Sequence, residues 1–420
     1  MGRSCGSDDG GDRVLNDCIL FDSTDIFGKR IGGAETFLKG LVKYAPADLS
    51  ISVVGTTSDP VARPIGRWQQ LSFSGRSIHY LPVVSEEDEN QKSRIPLSLR
   101  YTYFLQRYSI DTRAKVLFFN RIEPSILYRA QDCTKVIMVH NDVLSQLMRK
   151  NASETVWSRF PYLYRLFERY AIRNVDHLYT VSEASLKYYH SVYKDIGERA
   201  SFLPTCLDPE LFYPSSEPKF HIRQRLHPDL DEERIRCKWI LFVGRLQEQK
   251  APLRLLEVFR RFREGDSTSM LVIVGDGNLR EKTLLEAQRL GLRERIIHIG
   301  FLEQPGLADY YRAADALLLV SNYEGMPISV LEALGCGLPV VSTRVGEVPR
   351  VVKDGLCGEL VTTFEPDTIA KAVTRVVQSP AQYSRSNCVN AVQDFMPSKV
   401  IHGLFNGIAE IHRRKWEWLE

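Results

Sequence analysis

The stretch ALLLVSNYEGMPISVLEALGCGLPVV, residues 316–341, decides the fold. It opens on an apolar run, Ala316 to Val320, of the length and make-up of a strand buried on both faces of a parallel sheet. A Gly/Pro loop follows and carries Glu324. Pro327 suits the start of a helix, and Glu332 falls inside that helix. Pro339-Val-Val341 then begins another short apolar run. Strand, helix, strand in succession is the unit of a doubly wound α/β fold.

The same unit recurs outward along the chain. Upstream lie Cys18–Phe21, Ile51–Val54, Val116–Phe119, Val136–Val139 and His177–Val181. After a polar stretch come Trp239–Val243, Met270–Val274 and Ile296–Ile299, with helix candidates at Leu253–Phe262 and Leu279–Leu290. The pattern happens twice, so two Rossmann-like parallel-sheet domains are expected to face a cleft. The expected division is residues 1–13 as a dangling N-terminus, 14–205 as the first domain, and 206–236 as a proline- and charge-rich connection. Residues 237–395 form the second domain and 396–420 a C-terminal helix. Val400, Leu404, Ile408 and Ile411 mark one face of that helix, which is expected to dock back on the body, with Trp416 and Trp418 after it.

At 420 residues the chain is too long for one ordinary core, and 44% hydrophobic with 25% charged residues is the make-up of a soluble globular protein. A net charge of +3 gives no sign of a nucleic-acid partner. The charge is uneven, however. Residues 94–175 hold 14 Lys/Arg against 6 Asp/Glu, with Tyr101, Tyr103, Phe104, Tyr108, Trp157, Phe160, Tyr162 and Tyr164 among them. A basic, aromatic face of this kind suits an anionic membrane surface as well as it suits plain solvation. Eight scattered cysteines, with no CxxC pair, read as reduced thiols in a cytosol. The opening MGRSCGSDDGGDR lacks the apolar core of a signal peptide, and no run approaches the roughly 18 apolar residues of a membrane span. The expectation is a cytoplasmic protein whose membrane contact would be peripheral, at the inner face.

Open α/β sheets bind ligands at the carboxyl ends of their strands, and each candidate motif follows a strand. Gly244-Arg245 comes after Val243, and Lys250 precedes a helix opened by Pro252. Two cations beside a helix N-terminus suit a diphosphate. Val274-Gly-Asp-Gly-Asn-Leu-Arg280 fails the dinucleotide fingerprint, because Arg280 stands where a third glycine belongs. Glu324 and Glu332 would lie about 12 Å apart if both were helical. Glycosidase carboxyl pairs stand roughly 5–9.5 Å apart, so this pair suits an extended ligand held at two points. Gly325, Met326 and Pro327 between them make an anion-friendly helix start. In the first half, Ile31-Gly-Gly-Ala-Glu35 opens a helix after the first strand, and His140 follows Val139, with Asn141 and Asp142 behind it. Asp229-Leu-Asp231 matches a metal-binding DxD but lacks flanking strands. No His/Cys/carboxylate set has metal spacing, and no serine elbow is present.

Together these residues resemble the retaining glycosyltransferase family 4, of GT-B fold. The likeness is strongest from Phe242 to Val361, through FVGRLQEQK, LVIVGDGNLR, IHIGFL, YYRAADALLLVSNYEGMPISVLEALGCGLPVVST and VKDGLCGELV. EGMPISVLE matches the family's E-x7-E motif. The first half matches more weakly, in GGAE, VHND and TVSEAS.

The resemblance implies that Glu332 holds the nucleotide ribose. Glu324, with the amides of Gly325, Met326 and Ile328 around Pro327, would hold the donor sugar. Arg245, after Gly244, and Lys250 would neutralise the diphosphate; Gly300 and Phe301 would border the base; Gly33 would approach the phosphates; and His140 would contact the sugar. It implies a hexosyltransferase that needs no metal and no cofactor, with a nucleotide sugar as donor and a glycan or lipid-linked glycan as acceptor. The first domain would be the acceptor side, and the pathway cell-envelope or exopolysaccharide assembly. Transfer would retain configuration, the leaving phosphate taking the acceptor's proton, with double displacement still open.

Two departures stand out. Pro204-Thr-Cys-Leu-Asp208 replaces a common Pro-Asn-Gly-Val-Asp, and Gly346-Glu347 replaces a common Gly-Gly; neither is expected to touch the phosphate grip. A nucleotide-sugar 2-epimerase and a non-catalytic sugar-nucleotide binding module are the alternatives. Whether the base is uracil, guanine or adenine stays open.

Overall fold

The computed structural model describes residues 17–28, 32–86, 97–113, 115–140 and 161–417, apart from the side chains of residues 161 and 163. Among them, fourteen strands form two sheets. The first holds β1 (Asp17–Phe21), β2 (Ser50–Thr57), β3 (Gln69–Phe73), β4 (Arg76–Ser85), β5 (Val116–Phe119), β6 (Thr134–Val139), β7 (His177–Thr180) and β8 (Ala200–Phe202). The second holds β9 (Trp239–Val243), β10 (Met270–Val274), β11 (Ile296–Gly300), β12 (Ala316–Leu319), β13 (Val340–Thr343) and β14 (Gly358–Val361). Every apolar run read from the sequence falls within one of these strands or overruns it by one residue at one end. Runs such as WILFV and MLVIV are buried at every position, as strands covered by helices on both faces must be.

The second sheet runs β11-β10-β9-β12-β13-β14, all parallel. The chain starts in the middle, winds out to β11, then crosses to the far side of β9. That leaves a switch point between the carboxyl ends of β9 and β12, where a crevice opens. The first sheet, β3-β4-β2-β1-β5-β6-β7-β8, has its switch point between β1 and β5. Its antiparallel edge strand β3 was not read from the sequence. The Ser74-Gly75 turn that joins it to β4 has positive φ at both residues, the geometry that matches a hairpin's twist.

The 206–236 connection is more structured than its composition implies. Helices Lys219–Leu226 and Glu232–Arg236 form there, and Phe212, Ile222 and Ile235 pack into the second domain's core. Asp231 of the DxD match accepts from the Arg234 amide and caps the latter helix.

The last helix, Pro397–Glu417, returns to the first domain. Val400, Ile401, Leu404, Phe405 and Ile408 join the core built on β1, β2 and β6. The face ends in buried His412 rather than Ile411, and its Nδ1 lies 2.8 Å from Thr134 Oγ1. The last residues read from the sequence, Trp418 included, lie outside the described residues.

Candidate functional site

The carboxyl ends of the two sheets meet. A Cβ built on Gly33 would stand 4.0 Å from Ile328 Cδ1, and one on Gly325 would stand 3.5 Å from the His140 carbonyl and from Val181. Gly33 begins the helix Gly33–Tyr44 and Ile328 begins the helix Ile328–Gly335; neither N-terminus has a side-chain cap. Two uncapped helix starts, one per domain, therefore face each other. Each leaves backbone N–H groups without intrahelical partners, and each carries the positive end of a helix dipole. Ile31 of the opening motif lies outside the described residues.

At the second switch point the β9 and β12 loops are tied together. Lys250 Nζ lies 2.6 Å from Glu324 Oε1, and both side chains are largely buried. Gln249 Nε2 donates to the Tyr323 carbonyl at 3.2 Å and reaches Glu324 Oε2 at 3.4 Å. A buried pair of this kind fixes geometry more reliably than it adds stability, and losing one partner would strand a buried charge. The sequence reading assigned Lys250 and Glu324 to different parts of a ligand; the structure places them in contact. Arg245, by contrast, is exposed and makes no ion pair among the described residues. It is the uncompensated cation of the β9 loop.

The GDG turn after β10 is packing, as its failed fingerprint implied. A Cβ on Gly275 would lie 2.0 Å from the Gly244 carbonyl oxygen, at a φ of +142°. Only glycine lets the β10 turn approach the β9 loop so closely. Gly300 ends β11, its carbonyl accepting from the Gly275 amide at 2.7 Å, and Phe301 beside it is half exposed.

Glu332 lies one turn into its helix and is buried at 5% exposure. Tyr311 Oη donates to one of its oxygens at 2.7 Å and Gln304 Nε2 to the other at 3.2 Å. Burial pushes its carboxyl up to about 7, against the pull of those two donors.

On the first-domain side, His140 Nε2 is hydrogen-bonded to Asn120 Oδ1, and Asn120 Nδ2 donates to Asp22. Burial, then the nearby Arg121 charge, push the His140 imidazole down to about 3, so it is neutral at working pH. Asn141 and Asp142 lie outside the described residues.

Gly346-Glu347 corrects an expectation. These residues press directly on the candidate grip. Gly346, at φ +52°, packs so closely that an added Cβ would lie 2.2 Å from the Glu324 carbonyl oxygen, and the Glu347 amide donates to the Gly325 carbonyl at 2.9 Å. The Glu347 carboxylate also crosses the cleft and accepts from the Glu183 amide at 2.8 Å, at the start of the helix Glu183–Val192. Arg350 bridges Glu347 and Glu183. The other departure sits at the hinge, where Asp208 accepts from Lys43 at 2.9 Å and from Tyr44 at 2.6 Å.

Sequence reading missed Asp22, Asn120, Gln249, Gln304, Tyr311 and Glu347. Asp22 and Asn120 were within reach of the strand-end rule, since they directly follow β1 and β5. Gln304 and Tyr311 sit on the helix Gln304–Ala313 before β12, and no spacing points from them to Glu332. Among the described residues no group of three or more His, Cys, Asp or Glu could hold a metal ion, and no helix is long and apolar enough to cross a membrane.

Residues 232–394 match the family model described as glycosyl transferases group 1. An uncharacterized glycosyltransferase of Methanocaldococcus jannaschii is 34% identical over 163 residues, 39% of this chain and 40% of that one. A D-inositol 3-phosphate glycosyltransferase of Catenulispora acidiphila is 37% identical over 150 residues, 34% of this chain and 35% of its own. The matched part thus spans well under half the length of these relatives. Across nearly the whole chain the likeness is one of fold. The Anabaena protein HepE, solved with UDP and glucose, superposes with a TM-score of 0.68 at 17% identity, covering 94% of this chain and 100% of that one. Sucrose-phosphate synthase of Thermosynechococcus elongatus gives 0.70 at 17% identity, covering 96% and 99%. The fold is GT-B.

Proposed function

We propose that this protein is a retaining glycosyltransferase, of the family 4 type, that moves a hexose from a nucleotide-diphosphate sugar to a hydroxyl of a glycan or lipid-linked glycan. The carrying observation is the pair of uncapped helix starts at Gly33 and Ile328, facing each other beside the Lys250–Glu324 pair. Such a place favours a diphosphate. Glu332, eight residues beyond Glu324 and buried against Tyr311, would take the ribose hydroxyls; Gly300 and Phe301 would border the base. Glu324, with the amides around Pro327, would hold the sugar.

Breaking the anomeric C–O bond puts negative charge on the leaving diphosphate. Arg245, Lys250 and the helix starts stabilise it there, and one such group can be worth about 3 kcal/mol by analogy with an oxyanion donor. The acceptor oxygen attacks the anomeric carbon on the face the phosphate leaves, and its proton passes to the leaving phosphate oxygen. In this reading that positive charge comes from the protein, with no metal.

The acceptor reading, cell-envelope or exopolysaccharide assembly at an anionic membrane face, draws on the helix Pro161–Arg173. Tyr162, Arg165, Leu166, Arg169, Tyr170 and Arg173 are all exposed. At 100° per residue they share one face, three arginines among three large apolar side chains.

The test is a thermal-shift panel with UDP, GDP, ADP and their sugar conjugates, with and without EDTA. UDP is the first to try, since the Anabaena neighbour was solved with it. Ligand at a hundredfold excess over Kd should add about 2.7 kcal/mol of stability. One nucleotide standing out, unchanged by EDTA, supports the reading. A flat panel at millimolar ligand overturns it.

A further inference from the structure

At the switch point of the first sheet, Asp22 and Asn120 stand at the carboxyl ends of neighbouring β1 and β5, and His140 at that of β6. Asp22 is fully buried and Asn120 nearly so. The Asn120 amide nitrogen donates to the Asp22 carboxylate and points to the Ala34 carbonyl at 3.4 Å. Both are acceptors. Turning the amide over would set its oxygen against a carboxylate and a carbonyl, so its orientation is determined. Its oxygen therefore faces His140 Nε2. An amide oxygen only accepts, so Nε2 must carry the hydrogen. The imidazole is braced edge-on by Phe37, with ring centroids 5.1 Å apart. Nδ1 keeps its lone pair and has no hydrogen-bond partner among the described residues.

Asp22 can impose this order only when ionised. Burial pushes its carboxyl up to about 6, and the Arg121 guanidinium 3.8 Å away works against that rise. It is ionised above neutral pH. These residues form a chain with one direction, carboxylate to amide to imidazole, that ends in an acceptor with no partner among the described residues, on a residue whose backbone carbonyl lies beside the Gly325 loop.

We propose that Asp22 and Asn120 are positioning residues for His140. They lock its imidazole in the Nε2–H tautomer, so that Nδ1 accepts a hydrogen bond from a hydroxyl of the sugar being transferred. The tautomer half stands on the hydrogen-bond network alone; the sugar half rests on the proposed transferase reading. The consequence is selectivity. A donor lacking that one hydroxyl leaves Nδ1 desolvated and unpaired, and should be turned over poorly.

The experiment has two arms that separate these halves. The first is nitrogen-15 NMR of the histidine-labelled, ligand-free protein at pH 7.5, with the His140 signals identified by their loss in His140→Asn. One protonated Nε2 and one bare Nδ1 are expected; a protonated Nδ1 or an imidazolium overturns the proposal, whatever the protein's activity. The second compares kcat/KM for the donor found by the nucleotide panel with its single-deoxy analogues. Wild type should reject one analogue by about 10- to 100-fold, and Asn120→Ala should reject that same analogue by less than about threefold. A purely structural role would slow both donors alike, so full discrimination retained in Asn120→Ala overturns the proposal. Should that variant not fold, the wild-type tautomer still decides.

Discussion

At the residue scale, two side chains carry the clearest expectations. Glu332 holds its proton more tightly folded than unfolded, because burial raises its carboxyl to about 7. Its contribution to stability is therefore full below the ordinary carboxylate range and is lost as pH rises through about 7. At about 1.4 kcal/mol per unit the loss is at most about 3.5 kcal/mol. Denaturant unfolding of Glu332→Gln should show that slope between pH 4.5 and 7 removed. The same carboxylate must be ionised to accept two ribose hydroxyls. Nucleotide affinity should fall as pH drops below 7 in the wild type, and calorimetric titration of Glu332→Gln should find weaker binding without that component. Arg245 behaves differently, since it is exposed and makes no ion pair among the described residues. Its loss should leave folding and donor KM nearly unchanged while kcat falls about a hundredfold, the scale of one oxyanion donor. A variant with wild-type kcat removes Arg245 from the chemistry.

At the scale of elements, the loop after β13 clasps the loop after β12. Gly346 combines a positive φ with an approach that leaves no room for a methyl group. Gly346→Ala should lower stability by about 2 kcal/mol or more, from backbone strain alone about 1–2 kcal/mol. It should also abolish the thermal shift given by the nucleotide sugar, because the Glu324–Gly325 backbone must move. An unchanged shift would mean that the clasp does not shape the site. The helix Pro161–Arg173 carries a separate expectation. Its inner Glu168 is held by the hydroxyls of Tyr188, Tyr189 and Tyr193, which orients the outer face with its three arginines. Arg165→Glu with Arg169→Glu should abolish sedimentation with anionic liposomes at low salt, at about 1 kcal/mol per basic residue lost. Binding that survives the double change places the membrane contact elsewhere.

At the scale of the whole molecule, the chain crosses between domains twice, near Asp208 and again before Pro397. The second crossing is pinned at its far end. Lys415 Nζ donates to the carbonyls of Ala130 and Cys133 and lies 2.6 Å from Asp176 Oδ2. Lys415 and Asp176 are only partly buried, and removing the donor of such a set of charge-assisted hydrogen bonds costs about 1–3 kcal/mol. Lys415→Ala should therefore lower Tm by several degrees, read by calorimetry; a change under about one degree would make the helix's apolar face the whole anchor.

Legibility follows from the same physics. The alternation of short apolar runs with amphipathic segments reports periodicity, and periodicity belongs to the element itself. Ten of the strands between Cys18 and Val341, both helix candidates and the two-domain plan were therefore readable in order, while β3, β4 and β8 were not. So was the placing of Arg245, Glu324 and His140 just past strand ends. The edge hairpin at Ser74-Gly75 escaped because β3 is half exposed along its whole length and β4 begins with alternating exposed positions, so neither opens on an apolar run. What the sequence alone could not supply is who meets whom. Lys250 finds Glu324 across 74 residues and Glu183 finds Glu347 across 164. Those partners depend on sheet order and on how the two domains face each other. Contact between side chains of different elements leaves no periodic trace in either one, and only the tertiary structure decides it.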